Sequence, residues 1–151
     1  MTKQLKIAFV FLTSFSIAAA LFFMQSHLNR HPIEFVTLSS VSELKDKLKD
    51  KDTFVLQLSL DGCEYCEHLS GIEKEMRIPF RTTIYSLDIS SKQKNERRSE
   101  LAELIDGFEF YPSIFFICDG EVRDEFNLDE SSSIESRLTN WLEQKRCTGQ
   151  S

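Results

Sequence analysis

The stretch TFVLQLSLDGCEYC, residues 53–66, joins a mostly apolar, β-rich segment to two cysteines. Residues 53–60 predict a buried strand that is covered on both faces. Cys66, Leu69 and Met76 then recur at helical spacing, as does Ile72, so Cys63 and Cys66 are predicted to lie at a helix N-terminus. A CxxC pair is common by chance. Directly after a strand, in an alternating pattern of strands and helices, it is typical of a redox site.

The rest of the chain supplies the other elements of an α/β domain. Strands are predicted over 33–38 and 82–89, and a hairpin over 113–128 turns at Asp119 and Gly120. Further helices are predicted after Ser40, which stands at capping-box spacing from Glu43, around 101–108, and around 134–142 with a cap among 131–133. The predicted order is strand, helix, strand, helix, strand, helix, two hairpin strands and helix.

Length and charge bound the function. With 151 residues, 13 Phe, 5 Gly and 3 Pro, the chain is expected to fold as one domain. Without Lys3 and Lys6 it carries 16 basic and 24 acidic residues, a net charge of about −8. Nucleic acid is therefore not an expected partner.

The N-terminus carries a membrane signal. Lys3 and Lys6 precede an uncharged run over 7–24, whose 18 residues would span about 27 Å as a helix, close to the roughly 30 Å of a hydrocarbon core. A cleaved signal peptide with Ala18 to Ala20 at the cleavage site also fits. We favour the uncleaved anchor, since cleavage after Ala20 would leave the apolar residues 21–24 at the new terminus.

These features predict five regions. Residues 1–6 form a cytoplasmic N-terminus, 7–24 a transmembrane anchor or signal segment, 25–32 a stalk, 33–147 the domain and 148–151 a tail. The expected location is the cell membrane, with a single pass and the domain outside the cytoplasm. Cleavage would instead make the protein secreted or periplasmic.

Residues 33–147 resemble the thioredoxin family. The likeness rests on the strand that leads into CEYC and on FYPSIFFICDGEV, residues 110–122. It implies an α/β thioredoxin fold, with a central mixed sheet flanked by helices after the N-terminal transmembrane or signal helix. It also implies that Cys63 is the nucleophile, Cys66 the resolving cysteine and Pro112 a cis-proline after Tyr111. The exported form resembles small accessory thioredoxins of bacteria, including those associated with bacteriocin production.

The sequence departs from this family in two places that bear on chemistry. Gly62 stands where thioredoxins place Trp before the first cysteine, and Gln57 stands in place of the buried acid. Because an amide cannot exchange a proton as a carboxylate does, deprotonation of Cys66 must use another group. Glu67, His68 or a water molecule are the alternatives.

The charges around the pair bear on its redox role. A helix N-terminus stabilises the Cys63 thiolate, whereas Asp61, Glu64 and Glu67 place like charges near the sulfur. The sequence therefore predicts a reductant or a thiol–disulfide exchanger rather than a strong oxidant. Its partners would be cysteine-containing protein substrates and a redox partner protein.

Other readings of the pair remain open. A zinc site needs four ligands, but His27 and His31 lie on the predicted stalk and His68 is a single candidate. A permanent structural disulfide is a second alternative. We expect no metal and no organic cofactor. A rival function is a non-catalytic adaptor or chaperone with the same fold at the membrane.

The implied fold also suggests roles for further residues. Cys118 beside the hairpin turn and Cys147 after the last helix would meet at the pole opposite the active site, either as a disulfide or as two free thiols. Tyr65, Phe110 and Tyr111 are candidates for an aromatic surface where backbone beside Pro112 binds an extended substrate. Packing of Phe110 in the core is the alternative.

Overall fold

The computed structural model describes residues 30–128 and 133–145. The strands are β1 (His31–Pro32), β2 (Glu34–Thr37), β3 (Phe54–Leu60), β4 (Arg77–Ile78), β5 (Thr83–Ile89), β6 (Ser113–Cys118) and β7 (Glu121–Glu125). The helices are α1 (Val41–Lys49), α2 (Glu64–Glu75), α3 (Lys94–Leu104), which follows a 3-10 turn at Ser91–Gln93, and α4 (Ile134–Gln144). The predicted order of the longer elements is confirmed over these residues.

Five strands form the central sheet, in the order β2, β5, β3, β6, β7. The first three run parallel, whereas β6 is antiparallel to both β3 and β7. The sheet is therefore mixed, as predicted. Because β3 is the middle strand, the turn that follows Leu60 places the two cysteines at the carboxyl end of β3, midway across the width of the sheet.

Helices cover both faces of the sheet. Alternate residues of β3 divide between two apolar clusters: Leu56 and Leu58 pack with residues of α1 and α3, and Val55 packs with residues of α2 and α4. Gln57 follows the alternation of Val55 and faces α2. This alternation places a polar side chain directly beneath the helix that begins at the CxxC pair.

Residues 31 and 32 pair with a second short strand. His31 lies opposite Ile78 and Pro32 opposite Arg77, which makes a separate two-stranded sheet. These two residues end the predicted stalk over 25–32, whose residues 25–29 lie outside the described residues, as does the predicted membrane segment 7–24. Within 30–128 and 133–145, no helix combines the length and the apolar character needed to cross a bilayer.

The hairpin turn is confirmed at Asp119 and Gly120. Both residues have positive φ, 55° and 76°, the conformation that a tight two-residue hairpin turn requires. A Cβ atom on Gly120 would also collide with the backbone carbonyl oxygen of Leu48 at the end of α1. Glycine is therefore required here by conformation and by contact.

Candidate active site

Cys63 and Cys66 form a disulfide at the start of α2. Their Cα atoms are 5.2 Å apart, Cys63 is the N-cap residue, and the backbone N–H of Cys66 donates to the Cys63 Sγ over 3.3 Å. Cys63 is half-buried and Cys66 is buried. The outer sulfur is therefore the one that a partner can reach, and the inner sulfur lies one helical turn further in.

Gly62 turns the chain from β3 into α2. Its φ is +70°, a conformation that side chains with a Cβ rarely adopt, and the Cys63 N–H donates to the Leu60 carbonyl over 3.3 Å. The glycine at the position where thioredoxins carry a tryptophan thus meets a local backbone requirement. It also leaves the cysteine pair without an indole beside it.

The peptide bond between Tyr111 and Pro112 is cis, which confirms the prediction for this proline. The Tyr111 carbonyl oxygen lies 4.0 Å from the Cys63 Sγ. The Ser113 hydroxyl donates to the Phe110 carbonyl over 2.8 Å and fixes the same turn. Residues separated by almost fifty positions in the chain are thereby brought together.

Two aromatic side chains stand out on the surface beside the pair. Tyr65 is 78% exposed and Phe110 is 52% exposed, so the core alternative for Phe110 is wrong. Tyr111 differs, because its ring packs edge-on against Phe108 at 5.0 Å between ring centres. Burial raises the pKa of the Tyr111 phenol. Tyr111 therefore presents backbone more than ring to a partner.

A cavity of about 350 Å³ opens directly beside Cys63. Glu64 lines it from α2, and Lys94 and Arg98 line it from α3. No local sequence pattern indicates these two cations, because only the crossing of α3 over the sheet brings them near a cysteine some thirty residues earlier. Of the acids near Cys63, Glu64 is therefore faced by positive charge.

An apolar groove of about 220 Å³ lies on the other side of the aromatic pair. Its walls come from α2, the cis-proline turn and the start of α4, and include Tyr65, His68, Phe110, Pro112, Leu128 and Ile134. His68 is exposed and belongs to this groove rather than to the surroundings of Cys66. A position in the groove suits contact with a partner better than proton transfer to the inner thiol.

The inner cysteine opens onto a different space, a cleft of about 490 Å³ between β3, β5 and α2. Cys66, Gln57 and Glu73 all line it. The Gln57 Nε2 donates to the Glu73 Oε2 over 3.1 Å, and both side chains are buried, at 3% and 2% exposed. Burial raises the pKa of Glu73 to about 7, although the hydrogen bond from Gln57 lowers it.

Glu73 was not among the residues singled out from the sequence. Hydrophobic spacing favours Ile72 as a core residue, but Ile72 is only half-buried and Glu73 takes the core-facing position. The available signal was a carboxylate seven residues after Cys66, on the same face of the helix. Asp61 and Glu67 are exposed at the mouth of the same cleft, so only Glu64 of the three acids lies in the cavity beside Cys63.

The third cysteine lies far from this site. Cys118 ends β6, is buried, and packs in the cluster that contains Leu138 and Leu142 of α4. Cys147 lies outside the described residues, so its pairing with Cys118 stays a prediction. Over 30–128 and 133–145, no group of three or more His, Cys, Asp or Glu side chains is arranged to hold a metal ion.

Comparisons with known proteins identify the fold. No protein-family model matches the sequence, and no curated protein matches it. A solved thioredoxin from Malassezia sympodialis matches at 18% identity, over 76% of this chain and 92% of its own, with a TM-score of 0.50. Thioredoxin O1 from Arabidopsis thaliana, in its oxidised state, matches at 20% identity, over 74% of this chain and 96% of its own, with a TM-score of 0.48. The Malassezia match establishes the predicted fold, an α/β thioredoxin fold with a mixed sheet flanked by helices.

Proposed function

Starting from the thioredoxin fold, we propose that this protein is a thiol–disulfide oxidoreductase that exchanges disulfides with cysteine-containing proteins through Cys63 and Cys66. The observation that carries the proposal is the placement of a reachable sulfur at a helix N-terminus, 4.0 Å from the carbonyl of a cis-proline turn. Unpaired N–H groups and the helix dipole favour a thiolate at that position.

The order of the two steps follows from the different exposure of Cys63 and Cys66. The Cys63 thiolate attacks a substrate disulfide, forms a mixed disulfide and releases one substrate thiolate. The Cys66 sulfur then attacks Cys63, which restores the internal disulfide and releases the second substrate thiolate. Two electrons pass from the protein dithiol to the substrate, and solvent protonates the departing thiolates.

Substrate would lie across Tyr65 and Phe110, with its backbone alongside Tyr111 and Pro112. The exposed rings supply apolar contact area without charge selection, and the turn beside the sulfur supports an extended peptide. Such a surface suits a range of protein substrates. A redox partner protein would meet the same face, because Cys63 is the more exposed of the two sulfurs.

We further propose that the protein is a reductant or an exchanger and not a strong oxidant. Asp61, Glu64 and Glu67 disfavour the thiolate, and Lys94 and Arg98 offset only the acid that shares their cavity. We expect a reduction potential between about −180 and −270 mV. A potential near the roughly −120 mV of strong periplasmic oxidants would contradict this part of the proposal.

The location is proposed from the N-terminal sequence: a single-pass anchor over 7–24, with the domain outside the cytoplasm. An accessory role of the bacteriocin-associated kind stays a prediction from resemblance. Membrane fractionation with protease treatment of intact cells tests the topology. The mass of the mature N-terminus distinguishes an anchor from a cleaved signal.

Insulin reduction with dithiothreitol as electron donor tests the activity of the full-length chain. We expect turnover that Cys63→Ser abolishes, and Cys66→Ser should accumulate mixed disulfides that identify substrates. The exposed aromatic pair also fits the rival adaptor function. No turnover in the unmodified protein, together with partner binding that Cys63→Ser leaves unchanged, would favour that rival.

A further inference from the structure

The buried pair of Gln57 and Glu73 is incompletely hydrogen-bonded. Beyond their mutual contact, the Gln57 Oε1 and the Glu73 Oε1 have no hydrogen-bond partner among the described residues. A buried polar atom without a partner costs about 1–3 kcal/mol. A leucine at position 73 would fill a helix face without that cost, so packing does not account for the carboxyl group.

The carboxyl group instead shares a solvent-open cleft with the inner cysteine. Cys66 and Glu73 are seven residues apart on α2, which is two turns and about 10 Å between Cα atoms. Helical side chains tilt toward the N-terminus, which carries the Glu73 carboxyl group back toward the sulfur. The cleft of about 490 Å³ has room for water, at roughly 30 Å³ per molecule, to bridge the remaining distance.

We propose that Glu73 is the proton-exchange residue for Cys66, acting through water in this cleft. The inference rests on the proposed function and assigns the role that the sequence left between Glu67, His68 and solvent. As the mixed disulfide is resolved, the Cys66 thiol passes its proton to the Glu73 carboxylate. The resulting thiolate attacks the Cys63 sulfur, the bond to the substrate breaks, and the substrate leaves as a thiolate. Glu73 later returns the proton to solvent through the cleft.

Gln57 fits this role as a positioning residue. An amide carries both a donor and an acceptor, so it can donate N–H to the carboxylate and, after a flip of the amide, accept the O–H of the carboxylic acid. Both protonation states of Glu73 can thus keep one hydrogen bond. A carboxylate at position 57 would accept from the acid form but repel the ionised form.

The charges that face the cleft come from three parts of the fold. Asp61 lies in the turn after β3, Glu67 and Lys74 on α2, and Asp88 on β5. Burial is the main cause of the raised pKa of Glu73, and the hydrogen bond from Gln57 opposes it. With a pKa of about 7, Glu73 changes protonation in the range where a general base is most effective.

Single-turnover kinetics of the reduced full-length chain test the proposal. A symmetric aromatic disulfide releases one coloured thiolate when Cys63 attacks and a second when Cys66 resolves the mixed disulfide. In the unmodified protein the rate of the second phase should rise with pH around an inflection near the Glu73 pKa. We expect Glu73→Gln to slow that phase at least about tenfold at pH 7 and to move its inflection toward that of an ordinary thiol, about 8.5.

Three variants separate this role from a structural one. Glu75→Gln removes an exposed acid from the end of the same helix and should leave both phases unchanged. Gln57→Leu removes the hydrogen bond that favours the carboxylate and should shift the second inflection upward. An unchanged first phase in Glu73→Gln shows that the site is folded. If the Glu73→Gln variant fails to fold, Glu73→Leu repeats the test.

The proposal is overturned if Glu73→Gln keeps the second-phase rate and inflection of the unmodified protein, or if Glu67→Gln produces the loss instead. Failure of the proposed function would look different. The first phase itself would then be no faster than the reaction of an unfolded cysteine, whatever residue occupies position 73.

Discussion

Trp141 of α4 donates its indole N–H to the carboxylate of Asp124 on β7, over 2.9 Å, and Lys145 pairs with the same carboxylate. Burial alone would raise the pKa of Asp124, but the hydrogen bonds from Lys145 and Trp141 outweigh it and hold the pKa below its ordinary value. Asp124 on the hairpin thus holds the C-terminal helix α4 against β7.

Loss of this acid should destabilise the protein modestly. For Asp124→Ala we expect the free energy of unfolding to fall by about 1 kcal/mol, since the pair is partly solvent-exposed. Because the folded pKa is depressed, the contribution is present above the unfolded value of about 3.8 and disappears as pH falls through the folded value. Urea unfolding from pH 7 down to 3 measures it. Glu121→Ala, which removes the more exposed ion pair with Arg123, should change stability by less than about 0.5 kcal/mol.

Stability should also depend on pH through Glu73, with the opposite sign. Its folded pKa of about 7 lies above the ordinary 4.5, so the folded state binds the extra proton between these values. The free energy of unfolding should therefore fall as pH rises from about 4.5 to above 7, by at most about 3 kcal/mol. Urea unfolding of the oxidised protein at pH 5 and pH 8 tests this. Glu73→Gln should flatten the difference, and an equally steep loss in that variant would exclude Glu73 as its source.

Two glycines should respond oppositely to alanine. Gly120→Ala places a Cβ against the Leu48 carbonyl at a positive φ, so we expect a loss of at least about 1–2 kcal/mol. Gly71→Ala adds a methyl group in open space within α2 and should gain about 0.5–1 kcal/mol. Thermal unfolding of the two variants measures both shifts. A neutral Gly120→Ala would mean that the hairpin turn yields easily.

The aromatic surface should matter for protein substrates. Phe110→Ala and Tyr65→Ala each remove an exposed ring beside Cys63, and we expect KM for insulin to rise about fivefold or more, as for a central contact worth about 1 kcal/mol. Steady-state turnover at several insulin concentrations gives KM and kcat separately. Val36→Ala is the matched control. It truncates an exposed residue on β2 that lines neither the cavity beside Cys63 nor the apolar groove. Equal KM values in all three variants would remove this surface from substrate binding.

The predicted bond between Cys118 and Cys147 can be checked chemically. Mass spectrometry of peptides from the non-reduced protein should recover the two cysteines in one linked species. Thiols at both positions that react with an alkylating agent before reduction would contradict the bond. The reason to expect the bond is that Cys118 packs against α4, and Cys147 follows the last residue of that helix by three positions in the sequence.

The parts of the fold that were predictable are encoded locally. The apolar run of β3, the Asp119–Gly120 turn and the spacing of α2 each depend on neighbours in the chain. The pairing of His31 and Pro32 with β4 was not predictable, because a strand of two residues shows no periodicity in the sequence. Their register depends on a partner more than forty residues away.

The site divides in the same way. Cys63 and Cys66 follow from a short motif and the cis-proline from the resemblance to thioredoxins, whereas Glu73 follows from the rotation of α2 about its axis. Ile72 and Glu73 both fit the helical spacing of Cys66 and Leu69, and hydrophobicity alone favours the isoleucine. The amide of Gln57, sixteen residues earlier on a strand, gives the carboxyl group its buried partner, and that contact appears only once sheet and helix are packed.

The placement of Glu73 on α2 has a mechanical consequence. Cys66 and Glu73 lie on one continuous helix that Cys63 caps, so the helix sets the distance between their Cα atoms. A shift of this helix along the sheet would alter the hydrogen bond from Gln57 and hence the pKa of Glu73. The distance between the Cα atoms of Cys66 and Glu73 would stay unchanged. The sheet, through Gln57, would then adjust the proton affinity of Glu73, whereas the helix would fix the position of Glu73 relative to Cys66.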